Sequence, residues 1–505
     1  MSGTHVLTLL TALPLIGAAI ALIAGKHARA VALLTTLASL ALALLVWTAV
    51  PANGTIGLVE QHDWVRSLGI EYHLGVDGLG ALMVLLSAIV VLMSVDAAHR
   101  VHRQPGLYFA LVLMLEAGLF GSFTALNFFH WFLFWELSLI PAFFLIKLWG
   151  GQKRGPAATQ FFIYTMAGSV ALLLAFLAVF LSTGSMDFPH LTLLASTGEL
   201  EQMVTAHLGP VMLVLAIGVL AGFAVKVPMF PFHTWLPAAY AEAPSPVTML
   251  LTGAMSKMGV YGLLRIALPL FGAQIAQMRT PLLVLAVATI VMGAWAAAAQ
   301  KDLKRVLAYS SVNHLGYCLL GIFALAVPAA NAATQASQAA ALNGVMLQMF
   351  NHGVTAAAIF WFIAMLQERS GGERAIDHFG GLRKPAPVLA GVMGIVLFSS
   401  LGLPGLNGFV GEFLIFRGVF PLAWVAATVS VLGLLVTAVV ILTVIQKVFS
   451  GPTPERWAKF PDLHGGERLA LAPVIALMLL LGLLPQLITE TINPTVMNLL
   501  AHWRF

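Results

Sequence analysis

Long apolar runs separated by short polar loops fill the chain from one end to the other. A helix needs about 20 apolar residues to cross a bilayer. These runs predict an all-α, polytopic membrane protein with about fourteen transmembrane helices. The runs lie near 5–24, 29–50, 74–97, 106–125, 127–148, 158–182, 208–231, 245–269, 280–299, 304–327, 340–366, 386–423, 424–449 and 470–490.

Two runs are too long for one plain crossing. Residues 208–241 would extend about 50 Å as a helix, against about 30 Å of hydrocarbon, and they include Pro228. Residues 385–420 include Pro404 and Gly405 near their middle. Proline removes a backbone hydrogen bond, and adjacent proline and glycine favour a break. The seventh and twelfth helices are therefore predicted to be broken, and unwound backbone inside a membrane indicates a polar interior.

The two predicted breaks lie five helices apart, which suggests an internal repeat. Helices four to eight (106–269) and nine to thirteen (280–449) are predicted to form two five-helix units. Helices one to three precede them within 1–105, and a C-terminal helix follows within 470–505. An odd number of helices inverts the second unit relative to the first, and paired broken helices are typical of transporters built from inverted repeats.

Composition and charge agree with a membrane protein, because 60% of the residues are hydrophobic and only 9% are charged. Most Lys and Arg residues lie in alternate loops, so both termini are predicted to lie outside the cytoplasm. This topology explains the net charge of +5 better than a nucleic-acid partner does. The single cysteine, Cys318, excludes an internal disulfide and a cysteine-ligated zinc or iron–sulfur cluster.

Charged residues that stand inside apolar runs include Glu136, Lys226, Lys257 and Glu412. An uncompensated charge near the bilayer centre costs roughly 3 kcal/mol, so such residues are functional candidates. Burial disfavours a lysine ammonium and a nearby carboxylate favours it. Separating Glu136 from Lys226 would therefore turn the lysine into a proton donor. Asp77, at the start of its run, is explained as an N-terminal cap or dipole partner.

Two histidines, His314 and His352, stand on polar stripes of the tenth and eleventh helices. Imidazole exchanges protons near neutral pH, so the pattern predicts a relay from Lys257 through the histidines to Glu412. The alternatives are a structural ion pair for the charged residues and satisfied core histidines. Glu116 is open to two interpretations, a pathway entrance or a helix-packing contact.

Five sequence blocks and one shorter motif carry a family resemblance. The blocks resemble the antiporter-type membrane subunits of respiratory complex I and of cation/proton antiporter complexes, over nearly the whole chain. HLGVDGLG at residues 73–80, and a glutamate at position 412 where L and N subunits typically have lysine, favour the M-type branch, equivalent to mitochondrial subunit 4. The blocks are FWELSLIPAFFLI, VKVPMFPFHTWLPAAYAEAPSPVTMLL, KDLKRVLAYSSVNHLGY, MFNHGVTAAAIFWF and GLPGLNGFVGEF.

The resemblance implies fourteen helices, two inverted five-helix repeats and proton transfer along a central axis. NADH, FMN, iron–sulfur clusters and quinone are expected in partner subunits, with no cofactor or metal in this chain. The resemblance assigns roles to six matching positions. They are an essential pair at Glu136 and Lys226, a central relay at Lys257, connecting positions at His314 and His352, and an exit at Glu412.

The main hypothesis is a proton-translocating subunit of NADH:quinone oxidoreductase in a bacterial cytoplasmic membrane, with both termini periplasmic. Its expected partners are L- and N-type neighbours, a peripheral redox arm and lipids, and no nucleic acid. The alternatives are a subunit of a sodium/proton antiporter complex, a module of a membrane-bound hydrogenase or carbon dioxide-uptake complex, and a scaffold that conducts nothing. Glu412 argues against the antiporter.

Overall fold

The computed structural model describes residues 5–65 and 70–505, and most of these residues are helical. Residues 1–4 and 66–69, which belong to the first predicted segment, lie outside the described residues. The first helices are α1 (Val6–Ile23), α2 (Ala28–Thr48), α3 (Gly78–Ala97), α4 (Pro105–Thr124), α5 (Phe128–Trp149), α6 (Arg154–Thr183), α7 (Phe188–Thr197) and α8 (Glu199–Leu208).

The middle of the chain contains shorter helices, and the remainder returns to long ones. The short helices are α9 (Met212–Lys226), α10 (Trp235–Glu242), α11 (Ser245–Leu250), α12 (Lys257–Gly262) and α13 (Leu268–Gln277). The later helices are α14 (Arg279–Ala298), α15 (Leu303–Ala324), α16 (Ala332–Ser370), α17 (Pro387–Ser400), α18 (Asn407–Leu422), α19 (Trp424–Phe449), α20 (Gly465–Leu483) and α21 (Gln486–His502).

An antiparallel hairpin of β1 (Gly57–Val65) and β2 (Ile70–Val76) stands between α2 and α3. The all-α prediction is therefore wrong for this segment. Both strands are short and mix polar with aromatic or β-branched residues, a pattern that a search for long apolar runs passes over. The hairpin also has a structural task, because the Glu60 side chain accepts a hydrogen bond of 2.7 Å from the Leu7 backbone N–H at the start of α1.

Twelve helical segments among the described residues are long and apolar enough to cross a bilayer, or thirteen if α8 and α9, bent by 107°, form one span. The sequence predicts about fourteen crossings. The difference arises where helices are broken: α9 and α10 have 15 and 8 residues, and α17 and α18 have 14 and 16. Each half is shorter than the roughly 20 residues that a span requires.

Two further differences concern short helices. Residues 182–207, which lie between two predicted apolar runs, contain α7 and all of α8 except its last residue, Leu208. The C-terminal segment holds two helices instead of one, because α20 ends before Pro485 and α21 follows it. The residue before a proline avoids helical backbone angles, and Leu484 has φ −129° and ψ 60°.

Three helical segments form the centre of the protein, Ser245–Gln277, Leu303–Ala324 and Ala332–Ser370, and in each about 94% of the residues in an 18-residue apolar stretch are buried. Helices α1, α2, α19 and α20 are much less buried. A helix that is buried on all sides in a membrane protein contacts other helices instead of lipid, so it can hold polar side chains away from hydrocarbon. The polar candidate residues lie on these segments and on their direct neighbours.

Close backbone contact joins α16 to α18. A Cβ atom built on Gly418 would lie 2.3 Å from the Ala341 backbone nitrogen, and one on Gly344 would lie 2.5 Å from the Ile415 backbone nitrogen. Small residues at such crossings let membrane helices approach closely, which strengthens van der Waals packing. The two helices therefore hold a fixed spacing.

We expect Gly418→Ala to destabilise the protein by about 1–3 kcal/mol, because the new methyl group meets backbone atoms that cannot rotate away. The measurement is the thermal midpoint at which the protein is lost from native gels of detergent-solubilised membranes. Gly391→Ala on α17 is the matched control, since no atom lies within 4 Å of its Cβ position. It should keep or slightly raise the midpoint; equal midpoints for both variants would contradict the packing argument.

Candidate functional site

Lys257 lies at the centre of the protein, at the start of α12. Two π-helical turns, Leu251–Met255 and Leu263–Ala267, flank α12. Such turns add a residue to the helical repeat and change the directions of the following side chains, and they are frequent at functional sites. The Lys257 side chain is fully buried, and its Nζ donates to the backbone oxygen of Thr252.

A line of polar contacts runs from Lys257 toward α18. Lys257 Nζ lies 2.8 Å from His352 Nδ1. The rings of His352 and His314 lie 5.2 Å apart between their centres. His314 Nδ1 in turn lies 2.7 Å from Glu412 Oε1. The four predicted relay residues are therefore contiguous, and we call them the central chain.

A small cavity lies beside the histidines and Glu412. It has a volume of about 10 Å³, and among its lining residues are Gln348, Ser400 and Gly408. That volume corresponds to roughly one water molecule. Gln348 Nε2 donates to Glu412 Oε1 at 3.1 Å, and Ser400 Oγ lies 3.4 Å from His314 Nε2. The cavity is therefore a polar, water-sized space next to the His314 and His352 side chains and the Glu412 carboxylate.

The break between α17 and α18 sits directly against this carboxylate. Pro404 and Gly405 lie in the break, and Gly402 and Gly405 have positive φ angles of 81° and 93°. A Cβ atom on Gly402 would lie 3.2 Å from Glu412 Oε2. Glycine is required here both for the left-handed backbone and for the space. Unwound backbone thus lies beside the last residue of the central chain.

Asn407 holds the break in place, and sequence reasoning did not single it out. Asn351 Nδ2 donates to the Asn407 backbone oxygen at 2.7 Å, and Asn407 Nδ2 donates to the Asn351 backbone oxygen at 3.3 Å. Ser399 Oγ donates to Asn407 Oδ1 at 2.6 Å. The signal was present, because Asn407 follows the Gly–Leu–Pro–Gly break and Asn351 precedes His352.

The predicted pair Glu136 and Lys226 lies at the other break. Lys226 ends α9, Pro228 follows in the unwound segment, and Lys226 Nζ lies 4.5 Å from the centre of the Trp135 ring. Neither Lys226 Nζ nor the Glu136 carboxylate oxygens have a hydrogen-bond partner among the described residues. No ion pair joins the two side chains among the described residues, and the ammonium group has an aromatic face as its neighbour.

Lys226 also lies close to the central chain. A Cβ atom on Gly259, two residues after Lys257, would lie 3.1 Å from Lys226 Cβ. The end of α9 therefore packs directly on α12. This contact places the first break next to the segment that carries Lys257.

Two other charged residues lie outside the central chain. Asp77 caps α3 by accepting from the Leu79 and Gly80 backbone N–H groups, and it also forms an ion pair with Arg265 at 2.5 Å. The sequence predicts the cap but not the ion pair. Glu116 on α4 is fully buried, and its carboxylate oxygens have no hydrogen-bond partner among the described residues.

A sequence profile described as NADH:quinone oxidoreductase/Mrp antiporter, TM matches residues 125–440. This range exceeds half of the chain and contains all six candidate residues. The chain belongs to the NADH:quinone oxidoreductase/Mrp antiporter family. The predicted family resemblance is confirmed.

Relatives of this family match the chain over nearly its whole length. NADH-quinone oxidoreductase subunit M of Rhodobacter capsulatus is 34% identical, over 99% of this chain and 97% of its own length. A chain of respiratory complex I from Thermus thermophilus with bound NADH superposes with a TM-score of 0.86 at 29% identity, covering 99% of this chain and 100% of that one. A chain of the Mrp complex from Dietzia sp. DQ12-45-1b has a TM-score of 0.83 at 23% identity, covers 98% of both chains and shares the fold.

We expect Glu412→Leu to destabilise the protein by about 1–3 kcal/mol, because His314 and Gln348 lose their shared acceptor in a buried site. Glu412→Gln keeps an acceptor oxygen and should unfold close to the wild-type temperature. The measurement is the thermal midpoint in detergent-solubilised membranes. Glu490→Leu, at an exposed position of α21, is the control. A wild-type midpoint for Glu412→Leu would show that these contacts contribute no stability.

Proposed function

We propose that this chain is a proton-translocating membrane subunit of an NADH:quinone oxidoreductase, and that the central chain carries the protons. The observation that carries the proposal is the buried series of close contacts from Lys257 to Glu412, in which hydrogen-bonding distances at both ends flank a ring contact between the two histidines. Buried titratable groups at this spacing can pass protons to one another, whereas an isolated charge in hydrocarbon only raises the free energy of the folded protein. The relatives named above, and the respiratory complex that shares this fold, support the respiratory assignment.

Each residue has a distinct role in this proposal. Glu136 controls Lys226, because a carboxylate close to the ammonium stabilises its charge and a distant one does not. Lys226 passes its proton toward Lys257, against which its helix end packs. His352 and His314 carry it onward, since each imidazole has one nitrogen to accept a proton and another to donate one. Glu412 receives it beside the unwound backbone of the second break.

The same proposal includes the topology of the chain in the membrane. The chain crosses the membrane fourteen times, because α9 with α10 and α17 with α18 each make one broken crossing. Residues 106–269 and 280–449 form two inverted five-helix units, and both termini face the periplasm. In each unit the fourth of five crossings is the broken one, which supports the repeat.

The partners are other membrane subunits of the complex, L- and N-type neighbours among them, together with a peripheral redox arm and lipids. NADH, FMN, iron–sulfur clusters and quinone act in those other subunits. Electron transfer there changes the distance between Glu136 and Lys226 and so drives the transfer here.

A second candidate function is a subunit of a cation/proton antiporter complex, and the fold shared with the Mrp complex favours it. The relatives at over 30% identity carry the oxidoreductase name, which favours the first candidate. The two functions differ in what drives proton movement. A complex that responds to NADH is an oxidoreductase, and one that responds to a sodium gradient without an electron donor is an antiporter.

We expect Glu136→Gln to reduce proton pumping to about a tenth of the wild-type level or less, because loss of a proton-transfer partner typically slows its step by roughly 100-fold. The measurement is NADH-driven quenching of a pH-sensitive dye in inverted membrane vesicles, divided by the amount of assembled complex. Lys226→Met should have the same effect.

Glu490→Gln is the matched control for the carboxylate, because Glu490 is exposed and far from the central chain in sequence. A sodium pulse without NADH is added to each preparation. Undiminished pumping by Glu136→Gln would refute the assigned switch. Dye quenching after the sodium pulse alone would refute the oxidoreductase assignment and support the antiporter.

A further inference from the structure

A second polar site lies away from the central chain, in a cavity of about 160 Å³. Asp77 and Arg265 line its inner end, and Thr192, Asn498 and His502 line it elsewhere. His502 is exposed, so the cavity reaches the surface that carries the hairpin, α7 and the chain's last residues. We call this surface the hairpin face. The volume has room for several water molecules.

The inner end of the cavity is closed by a buried ion pair. Arg265 Nη2 lies 2.5 Å from Asp77 Oδ1, and the two side chains are only 9% and 3% exposed. Arg265 Nε also donates to the Tyr261 hydroxyl oxygen at 3.3 Å, and that hydroxyl donates to the Phe123 backbone oxygen at 3.1 Å. The guanidinium group is therefore fixed on two sides and cannot swing away from the cavity.

The ion pair stands between this cavity and the central chain. Tyr261 and Arg265 follow Lys257 on the same buried helical segment, four and eight residues further toward the hairpin face. Among the described residues that line the cavity, Arg265 is the only permanently charged cation. A proton on Lys257 would reach the hairpin face by this short route only if it passed the guanidinium group.

We propose that the Asp77–Arg265 pair is an electrostatic barrier that stops protons from leaking between Lys257 and the hairpin face. Arginine stays protonated in proteins, so it repels a hydrated proton and cannot relay one. Asp77 holds the guanidinium in place and makes its burial tolerable. Protons on Lys257 then move along the central chain to Glu412 and do not escape to the hairpin face.

This inference rests on the proposed function for the identity of the conducted ion. Two simpler roles are possible for the pair. It could fasten α3 to the central helix as a structural contact, or it could conduct protons outward. The three roles predict different signs when each charge is removed separately.

The test measures passive proton flow through the intact complex in liposomes that contain a trapped pH-sensitive dye. A potassium diffusion potential drives the flow, and no NADH is present. The result is therefore independent of pumping, and failure of the proposed function would appear separately as absent NADH-driven dye quenching in the wild type.

Removal of the cation should open the leak, and removal of the anion should not. We expect Arg265→Gln to raise the passive proton flux by about tenfold or more, since an unscreened unit charge at close range changes the barrier by at least that factor. Asp77→Asn keeps a helix cap and should leave the flux at or below the wild-type value. Arg265→Lys should also remain at the wild-type value.

Arg29→Gln is the matched control, because Arg29 forms an ion pair with Asp96 at 2.8 Å outside the cavity. Its flux should equal the wild-type flux. Equal increases for Arg265→Gln and Asp77→Asn would show a structural contact and overturn the barrier. Reduced NADH-driven pumping without increased leak in Arg265→Gln would show an outward path and would also overturn it. If either single variant does not assemble, two double variants decide: increased flux for Asp77→Asn/Arg265→Gln with wild-type flux for Asp77→Asn/Arg265→Lys supports the barrier, and equal flux in the two refutes it.

Discussion

The cost of burying charge in hydrocarbon is the constraint on which this structure depends. An ammonium, guanidinium or carboxylate group in hydrocarbon is costly, and contact with polar groups of other helices lowers that cost. Lys257 has His352, and Glu412 has His314 and Gln348. The largely buried helical segments around them keep these polar groups away from lipid. The fold and the site are therefore consequences of the same energetic requirement.

Sequence reasoning identified the parts of the molecule in which one strong signal dominates. Long apolar runs marked the helices, and overlong runs with proline marked both breaks. Charged residues inside apolar runs marked Lys257 and Glu412, which the structure joins through the two histidines. These signals are local, because each depends only on the residues of a single segment. The hydrophobic pattern was thus sufficient for the long helices, although not for the short helices α7 and α8 or for the division of the C-terminal segment into α20 and α21.

Features that depend on several segments at once were not predictable in the same way. The hairpin lacks a long apolar run, and the π-helical turns beside Lys257 arise from packing in the centre of the protein. Asp77 predicted its own cap, but its ion pair with Arg265 joins positions 188 residues apart. The separation of Glu136 from Lys226 likewise reflects how α5 and α9 are placed. A charged residue inside an apolar run indicates that a polar partner is needed, but it does not show how far away that partner lies.

The glycine contact between α16 and α18 has a mechanical consequence for the site. His352 and Gln348 belong to α16, while Glu412 belongs to α18. With backbones touching at Gly344 and Gly418, neither helix can slide or tilt without carrying the other. Gln348 and its acceptor Glu412 consequently move as one rigid block, together with His352. Their spacing is preserved during any larger movement of the subunit, so adjustment of the conducting path falls to residues outside that block.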